Sequence, residues 1–570
     1  MQQFPEFGFL HKPTFLEYDY NDELSSLKLC AVMALCARYM PETVSLYGSP
    51  LAASNHFAGY VRKEVMEHVA VHADIEIIQT LVLLGLHDWG CCNGFSAWIY
   101  IGMAIRTGQM LQARLEEIGK SQKEQPNTVL RETIHRTIWA CFVIDCMLGC
   151  GKHRVRTFEA EKVKIPLPIN DEDYVFGNDS SPNPTYLTKL VFEGYAQSLQ
   201  SPSQKLGVEY CLSLTIQGFD IWSKLSQWIC TGGRGGDLPS SHDPPWKETT
   251  FWYRTMTSLE NWRASLSPRL LYSSGGHNLL AHIARNQGES FATINLLYYL
   301  MVIFLNREYI PFFPHRIKSP CGPTDPPLLK EQAPPGWWDR GSIELFGAAS
   351  SIIKLLQSLQ QHGIQLQTPF TSFCVFSAAT TLSYANAWPH MAPGFQNAGE
   401  LYTWGLKWLI ESSELWKIAE GWCDTLTSVS QLYIRIKKDT SRFCDVGREP
   451  FIDLEDSIQR FAETESGRIP AANILVSLSR KAPQATKDKE KTSASRVSHE
   501  TRLCDVSPGT IETQEVEESR DESLRSNEGT PFAQSTHSEY ISEEFADSQD
   551  IIASMMGEGA GLNWFHDLSW

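Results

Sequence analysis

The sequence predicts an all-α fold: a large multi-helical domain over residues 1–450, followed by a disordered acidic C-terminal tail. Three observations carry this. Apolar residues recur at three- and four-residue steps through residues 24–438, the period of a helix with one buried face. The alternating pattern of a half-buried strand is almost absent. From about residue 481, Ser, Thr, Glu, Asp and Lys dominate, so that segment cannot bury enough apolar area to offset its ordering entropy.

The elements follow in order. A Pro- and aromatic-rich stretch, 4–15, leads in. Leu24, Leu27, Ala31, Ala34, Leu35 and Arg38 give a helix that Pro41 stops. Residues 57–68 give a second, and Asp74 caps a third over 75–86. Trp98, Ile101, Ile105 and Gly108 line one face of the next. After a polar joint at 119–127, with Thr128 as N-cap, Ile134, Ile138, Cys141, Asp145 and Leu148 line another. Residues 163–168 are extended, because each proline biases its predecessor away from the helix. A loop at 178–184 separates this hairpin from helical patterns at 186–199 and 206–230. Residues 231–245 read as a flexible connector rich in Gly and Pro. Helices resume at 251–266 and 291–309, a proline-dense loop covers 317–338, and helical patterns occupy 342–362, 371–387 and 400–438. Residues 451–480 read as a helical or linker extension and 481–538 as a disordered linker.

The net charge is −17, and 501–570 holds 15 Asp/Glu against 3 Lys/Arg, about −12 of that total. The body is only mildly acidic. It offers no clustered positive surface of the kind that binds nucleic acid by displacing counterions. The 14 cysteines lack any C-x-x-C spacing and read as reduced, buried residues of an intracellular protein. The N-terminus has no signal-peptide pattern. The longest apolar run, 291–305, is shorter than the roughly 20 residues that span a bilayer, so it reads as a core helix.

Several groups invite chemistry. His72, His87, Asp88 and Asp145 stand in the order of helical metal-dependent phosphohydrolases, but His87 and Asp88 read as helix-terminal polar residues. Asp171, Glu172 and Asp173 form the one compact acidic triplet of the body. It lacks the second motif that a magnesium-dependent cyclase needs, and it reads as a surface loop. Cys141, Cys146 and Cys150 lack zinc-ligand spacing and read as core. Lys152, His153, Arg154 and Arg156 complement a helix C-terminus. Asp145 lies on an otherwise apolar face and needs a partner; an ion pair with Arg106, Arg136 or Arg154 is expected. No catalytic, cofactor or metal site is expected.

The run Ala97-Trp98, Gly102-Met103-Ala104-Ile105-Arg106, then Glu132, Arg136, Trp139, Phe142 and Asp145, then Gly151, Lys152 and Arg154, resembles the middle homology region of fungal-specific transcription factors. The match is best over 75–177. Its order and spacing make it specific, although Val155 stands where the family usually has Pro. The resemblance implies a helical regulatory domain that controls RNA polymerase II transcription of metabolic or secondary-metabolite genes in the nucleus. The motif residues Trp98, Arg106, Glu132, Arg136, Trp139, Asp145, Gly151 and Arg154 are expected to be structural.

The family's six-cysteine signature, opening C-x2-C-x6-C, does not occur here. The resemblance therefore implies that DNA is reached through a domain upstream of Met1 or through a partner, and that any zinc belongs to that upstream cluster. A homodimer or heterodimer fits the family, and no membrane role is expected. The segment 539–570 interleaves acidic residues with Phe545, Trp564, Phe565 and Trp570, a pattern that suits transient docking of an activation segment on the transcription machinery or its coactivators. Two basic scraps, 435–438 and 487–491, resemble nuclear-import signals. The alternatives are a non-DNA-binding adaptor acting through protein partners and, more remotely, an all-α metal-dependent hydrolase or cyclase.

Overall fold

Side-chain caps set where the helices of the N-terminal half begin. Ser49 accepts the Ala52 N–H, Asp74 the Glu76 N–H and Asn127 the Leu130 N–H, each satisfying a backbone donor that a helix start leaves unpaired. The computed structural model of the chain describes residues 3–17, 23–71, 73–121, 127–149, 156–160, 163–178, 186–187, 207–236, 243–273, 276–314, 317–324 and 327–438. All of them fall within one compact unit, Met1–Lys481. The expected tail segments, the 487–491 scrap and the helical pattern at 188–199 lie outside the described residues.

The all-α expectation holds: 16 α-helices are described, and β pairing among the described residues is limited to one isolated bridge, Pro166 with Tyr186. In chain order they are α1 (Lys12–Leu16), α2 (Glu23–Cys36), α3 (Pro41–Tyr47), α4 (Pro50–Val69), α5 (Ile75–Gly90), α6 (Gly94–Ser121), α7 (Thr128–Leu148) and α8 (Asp171–Phe176). The remainder are α9 (Cys211–Cys230), α10 (Phe251–Ser265), α11 (His277–Ile283), α12 (Gly288–Arg307), α13 (Trp337–Gln361), α14 (Pro369–Ala387), α15 (Ala398–Ser413) and α16 (Ile418–Lys438). Two layers organise them. Helix α5 packs on α6, α2 and α4 in the first; in the second, α12 packs on α9, α13 and α14, and α14 on α15 and α16.

Several expectations are corrected. Pro41 does not only end a helix; it opens α3 at N1, where its missing N–H costs nothing. Asn127, not Thr128, caps α7. The apolar run 291–305 lies in α12, whose 20 residues are long and apolar enough to cross a bilayer. Of its most apolar window 89% is buried among neighbouring helices, as a core helix would be. The described start of the connector, 231–236, is anchored rather than free. Arg234 is buried, donates from Nε to the Glu308 carbonyl at 3.1 Å, and bonds the Pro327 carbonyl through Nη1.

The helical pattern expected over 400–438 is two helices, and the break between them has a function in packing. It lets Trp416 enter the core with no exposure. The indole Nε1 donates to the Gln367 carbonyl at 2.8 Å. The Arg38 guanidinium lies 3.5 Å from its ring centroid, and Phe4 meets it edge-on. Gly90, the last residue of α5, is required here, since a Cβ would lie 2.1 Å from the indole. Trp416 thus joins the two layers. The chain start does the same: Phe4, Phe7 and Phe9 are fully or almost fully buried, and the short 3-10 turn Pro5–Phe7 packs against α7, α9 and α12.

Candidate functional site

Helix α7 gathers most of the residues singled out by the sequence motif. Its polar side chains strap down the chain that returns alongside it, residues 156–178. Near its N-terminus, Arg136 is 2% exposed and uses every arm of its guanidinium. Nε donates to Glu132 Oε1 at 2.9 Å. Nη1 donates to Asp171 Oδ1 at 2.8 Å and to the Gly8 carbonyl at 3.0 Å, and Nη2 to the Ile169 carbonyl at 2.8 Å. The Tyr174 ring lies 4.1 Å from the guanidinium carbon. The planar fork suits this multiple recognition in a way an ammonium would not. Burial opposes the Arg136 charge, but Asp171 and Glu132 outweigh it and hold the group cationic. Burial also pushes the Glu132 carboxyl up, against the pull of Arg136 and of the Ile169 N–H that it accepts at 3.0 Å.

One turn on, Trp139 has no exposure and donates from Nε1 to the Pro166 carbonyl at 2.9 Å. This proline-flanked extended segment makes one isolated bridge, Pro166 with Tyr186, rather than a ladder, and the buried indole N–H gives the Pro166 carbonyl a side-chain donor. Phe142 meets Trp139 edge-on, and Phe158 packs on both. At the far end Asp145 is 2% exposed. Its burial is as expected, but its partner is not. Oδ2 accepts the Thr157 and Phe158 backbone N–H groups at 2.9 and 2.8 Å. Burial pushes the carboxyl up to about 6, opposed by those two amides and the charge of Arg156. Of the three expected arginines, Arg136 pairs instead with Glu132 and Asp171 and Arg106 is exposed beside Gln109, while Arg154, with Gly151, lies outside the described residues. A carboxylate facing two amides of an irregular segment needs no counter-ion, because two charge-assisted hydrogen bonds satisfy it. We expect Asp145→Ala to leave two buried donors unpaired and to lower unfolding free energy by about 2–4 kcal/mol. Urea denaturation checks this through the midpoint.

The acidic triplet is also corrected. Asp171, Glu172 and Asp173 are not a loop but the first turn of α8, where carboxylates complement the exposed N–H groups. Asn170 caps that turn by accepting the Asp173 N–H at 2.8 Å. Trp98 is half-buried on α6, and its indole nitrogen has no hydrogen bond among the described residues.

His87 and Asp88 are the residues that sequence reasoning placed least well. Neither has any exposure. Arg38 Nη2 lies 2.9 Å from His87 Nδ1, and His87 Nε2 lies 3.2 Å from Asn55 Oδ1. A neutral ring protonated at Nε2 satisfies both of these contacts, while the Ala34 carbonyl, 3.1 Å from Nδ1, is served by Arg38 Nη2 at 3.1 Å. Burial, with Arg38 and Arg62 nearby, holds its pKa well below the ordinary value. Asp88 forms a buried ion pair with Arg62. Arg62 was absent from the sequence reading, because partners 26 residues apart leave no periodic signal. His72 lies outside the described residues. Among the described residues no three His, Cys, Asp or Glu side chains stand where they could hold a metal ion. The described cysteines are free thiols, and Cys141 and Cys146 are buried in α7. They do not fit a zinc cluster.

The clasp residues lie within the part of the chain that known proteins share. A family model described as fungal specific transcription factor domain matches residues 2–264. An uncharacterized transcriptional regulatory protein of Schizosaccharomyces pombe is 26% identical over 398 residues, covering 66% of this chain and 54% of the relative. Two Zn(2)-C6 fungal-type transcription factors of Fusarium oxysporum f. sp. lycopersici, FTF1c and FTF2, are 26% and 24% identical. They cover 65% and 71% of this chain, but 38% and 36% of their own lengths. The chain thus spans from about a third to about half of these curated relatives. No solved structure matches it. Helices α11 to α16 extend the same compact unit beyond the matched region. Residues 2–264 are therefore similar to a fungal specific transcription factor domain.

Proposed function

We propose that this chain is a non-enzymatic fungal transcription regulator acting in the nucleus on RNA polymerase II promoters of metabolic genes. One observation carries the reading: the domain match over residues 2–264, together with relatives named as transcription factors. The clasp supports it. Its charged groups are saturated by one another and by backbone, which suits a scaffold and leaves no free nucleophile or base for chemistry. Helices α2 to α16 would hold the regulatory body. The segment 539–570, with Phe545, Trp564, Phe565 and Trp570 among acidic residues, would dock on coactivators. DNA contact and any zinc are assigned to a segment outside these residues or to a dimer partner. A co-regulator that reaches promoters only through protein partners is the second reading.

The experiment is a fusion of the full chain, and separately of residues 539–570, to a heterologous DNA-binding domain above a reporter. We expect both to raise output, and alanine at the four aromatic positions to abolish the gain of the short fusion. No output from either fusion would sink the activator reading.

A further inference from the structure

A cavity of about 230 Å³ lies between α10 and α13, beneath the proline-dense loop. Its floor is buried: Trp252, Met256, Tyr309, Phe346 and Tyr384 are each under one-tenth exposed. Half-buried Trp337 and Trp338 form one wall. The Trp252 and Trp337 centroids are 5.4 Å apart, and Trp252 meets Tyr309 edge-on at 6.4 Å. Most polar atoms on the lining are already used. Trp252 Nε1 donates to the Leu305 carbonyl, the Tyr384 hydroxyl to the Pro311 carbonyl, and Ser342 to the Met391 carbonyl. The Tyr309 hydroxyl, by contrast, makes no hydrogen bond among the described residues, although the side chain is 6% exposed and lines the cavity. That hydroxyl is not sealed in the core but borders the cavity, where it offers a donor or acceptor to a ligand.

The charge at the mouth gives the ligand a sign. Glu260 and Glu344 are both exposed there; Arg340 also lines the mouth, 5.8 Å from the Trp337 ring, and Arg263, one turn on from Glu260, lies against Tyr298. Neither glutamate forms an ion pair among the described residues. Partial burial of its carboxyl end and the neighbouring Glu260 push the otherwise exposed Glu344 up, opposed by Arg340 and by a hydrogen bond from Asn306. Two carboxylates held close at the rim of an aromatic pocket favour a cation, and indole faces favour it again through their quadrupoles.

We infer that this cavity is an effector site for a small aromatic amine: the aromatic body seats against Trp252, Trp337 and Phe346, and the ammonium faces Glu260 and Glu344. The Tyr309 hydroxyl would meet a polar group on the deep end of the ligand. This deepens the regulator reading and rests on it only for the effect on transcription; binding itself does not require it.

Calorimetric titration of the full chain tests the site with tryptamine and phenethylamine against their neutral isosteres, tryptophol and 2-phenylethanol, and against indole-3-acetate. At least one amine should bind at least tenfold more tightly than its alcohol, and indole-3-acetate more weakly still. In E260Q/E344Q the preference for amine over alcohol should fall at least fivefold while alcohol binding stays within twofold. Met256→Trp, which fills the cavity, should remove binding of every probe with the circular dichroism spectrum unchanged. Alcohol or acid binding as tightly as the amine, an unchanged preference in E260Q/E344Q, or no heat with any probe would each overturn the proposal. The reporter is read separately. Amine binding with no change in output keeps the site and rejects its link to transcription, whereas output without amine binding rejects the site alone.

Discussion

Arg136→Met should cost about 3–5 kcal/mol of unfolding free energy, the largest loss expected from a single substitution in the clasp. The reason is what stays behind. Glu132 is 4% exposed, and without Arg136 its carboxylate keeps the Ile169 N–H and, 3.9 Å away, the His135 ring, which burial holds neutral. The Gly8 and Ile169 carbonyls lose their donor as well. Asp171 suffers less, since its side chain is 53% exposed and rehydrates. The double variant E132Q/R136M removes the stranded charge and should recover at least 1–2 kcal/mol of the loss, because a buried pair replaced whole is far less costly than a pair broken. Chemical denaturation of the four members of that cycle checks both statements. A double variant no more stable than R136M would show that the hydrogen bonds to backbone, and not the buried charge, dominate.

Glu6→Gln should act in the opposite direction, and only at the alkaline end. Glu6 is 2% exposed in the plug formed by the chain start, and it has no ion pair among the described residues. Burial pushes its carboxyl up to about 8, against an ordinary value of 4.5. Between those two pH values the unfolded chain has lost the proton and the folded chain still holds it. The folded state therefore binds more protons, and this group's contribution to stability declines as pH rises from 4.5 to 8. At 1.36 kcal/mol per unit the whole decline is at most about 5 kcal/mol. The Gln variant lacks the slope. It should match the parent near pH 5 and exceed it by a few kcal/mol at pH 8, up to about the same bound. Melting curves across that range test it, and parallel pH profiles for the two chains would refute the assignment.

The sequence shows some of this and hides the rest for physical reasons. Helical period and caps are local, so the helices around Asp74 and Gly94–Ser121 are legible from their own residues. The motif on α7 is legible as structural, and Asp145 as a buried polar residue on an otherwise apolar face. Its partner is not legible, because a backbone amide carries no side-chain identity to recognise. Arg38 with His87, and Arg62 with Asp88, join separate helices, and neither spacing leaves a trace along the chain. The insertion of Trp416 is hidden for a similar reason. A stripe of apolar residues over 400–438 continues in phase across the break, so periodicity alone joins what three-dimensional packing separates.

The clasp also makes α7 legible to exchange measurements. The amides of Thr157, Phe158 and Ile169 are bonded to carboxylate oxygens of Asp145 and Glu132 rather than to carbonyls of a helix or a ladder. Their protection from solvent deuterium therefore lasts only while two side chains hold their rotamers, whatever the backbone of α7 is doing. These three protons would register a loosening of the side-chain layer before any helix melts, giving the regulatory body a built-in gauge of its own internal order.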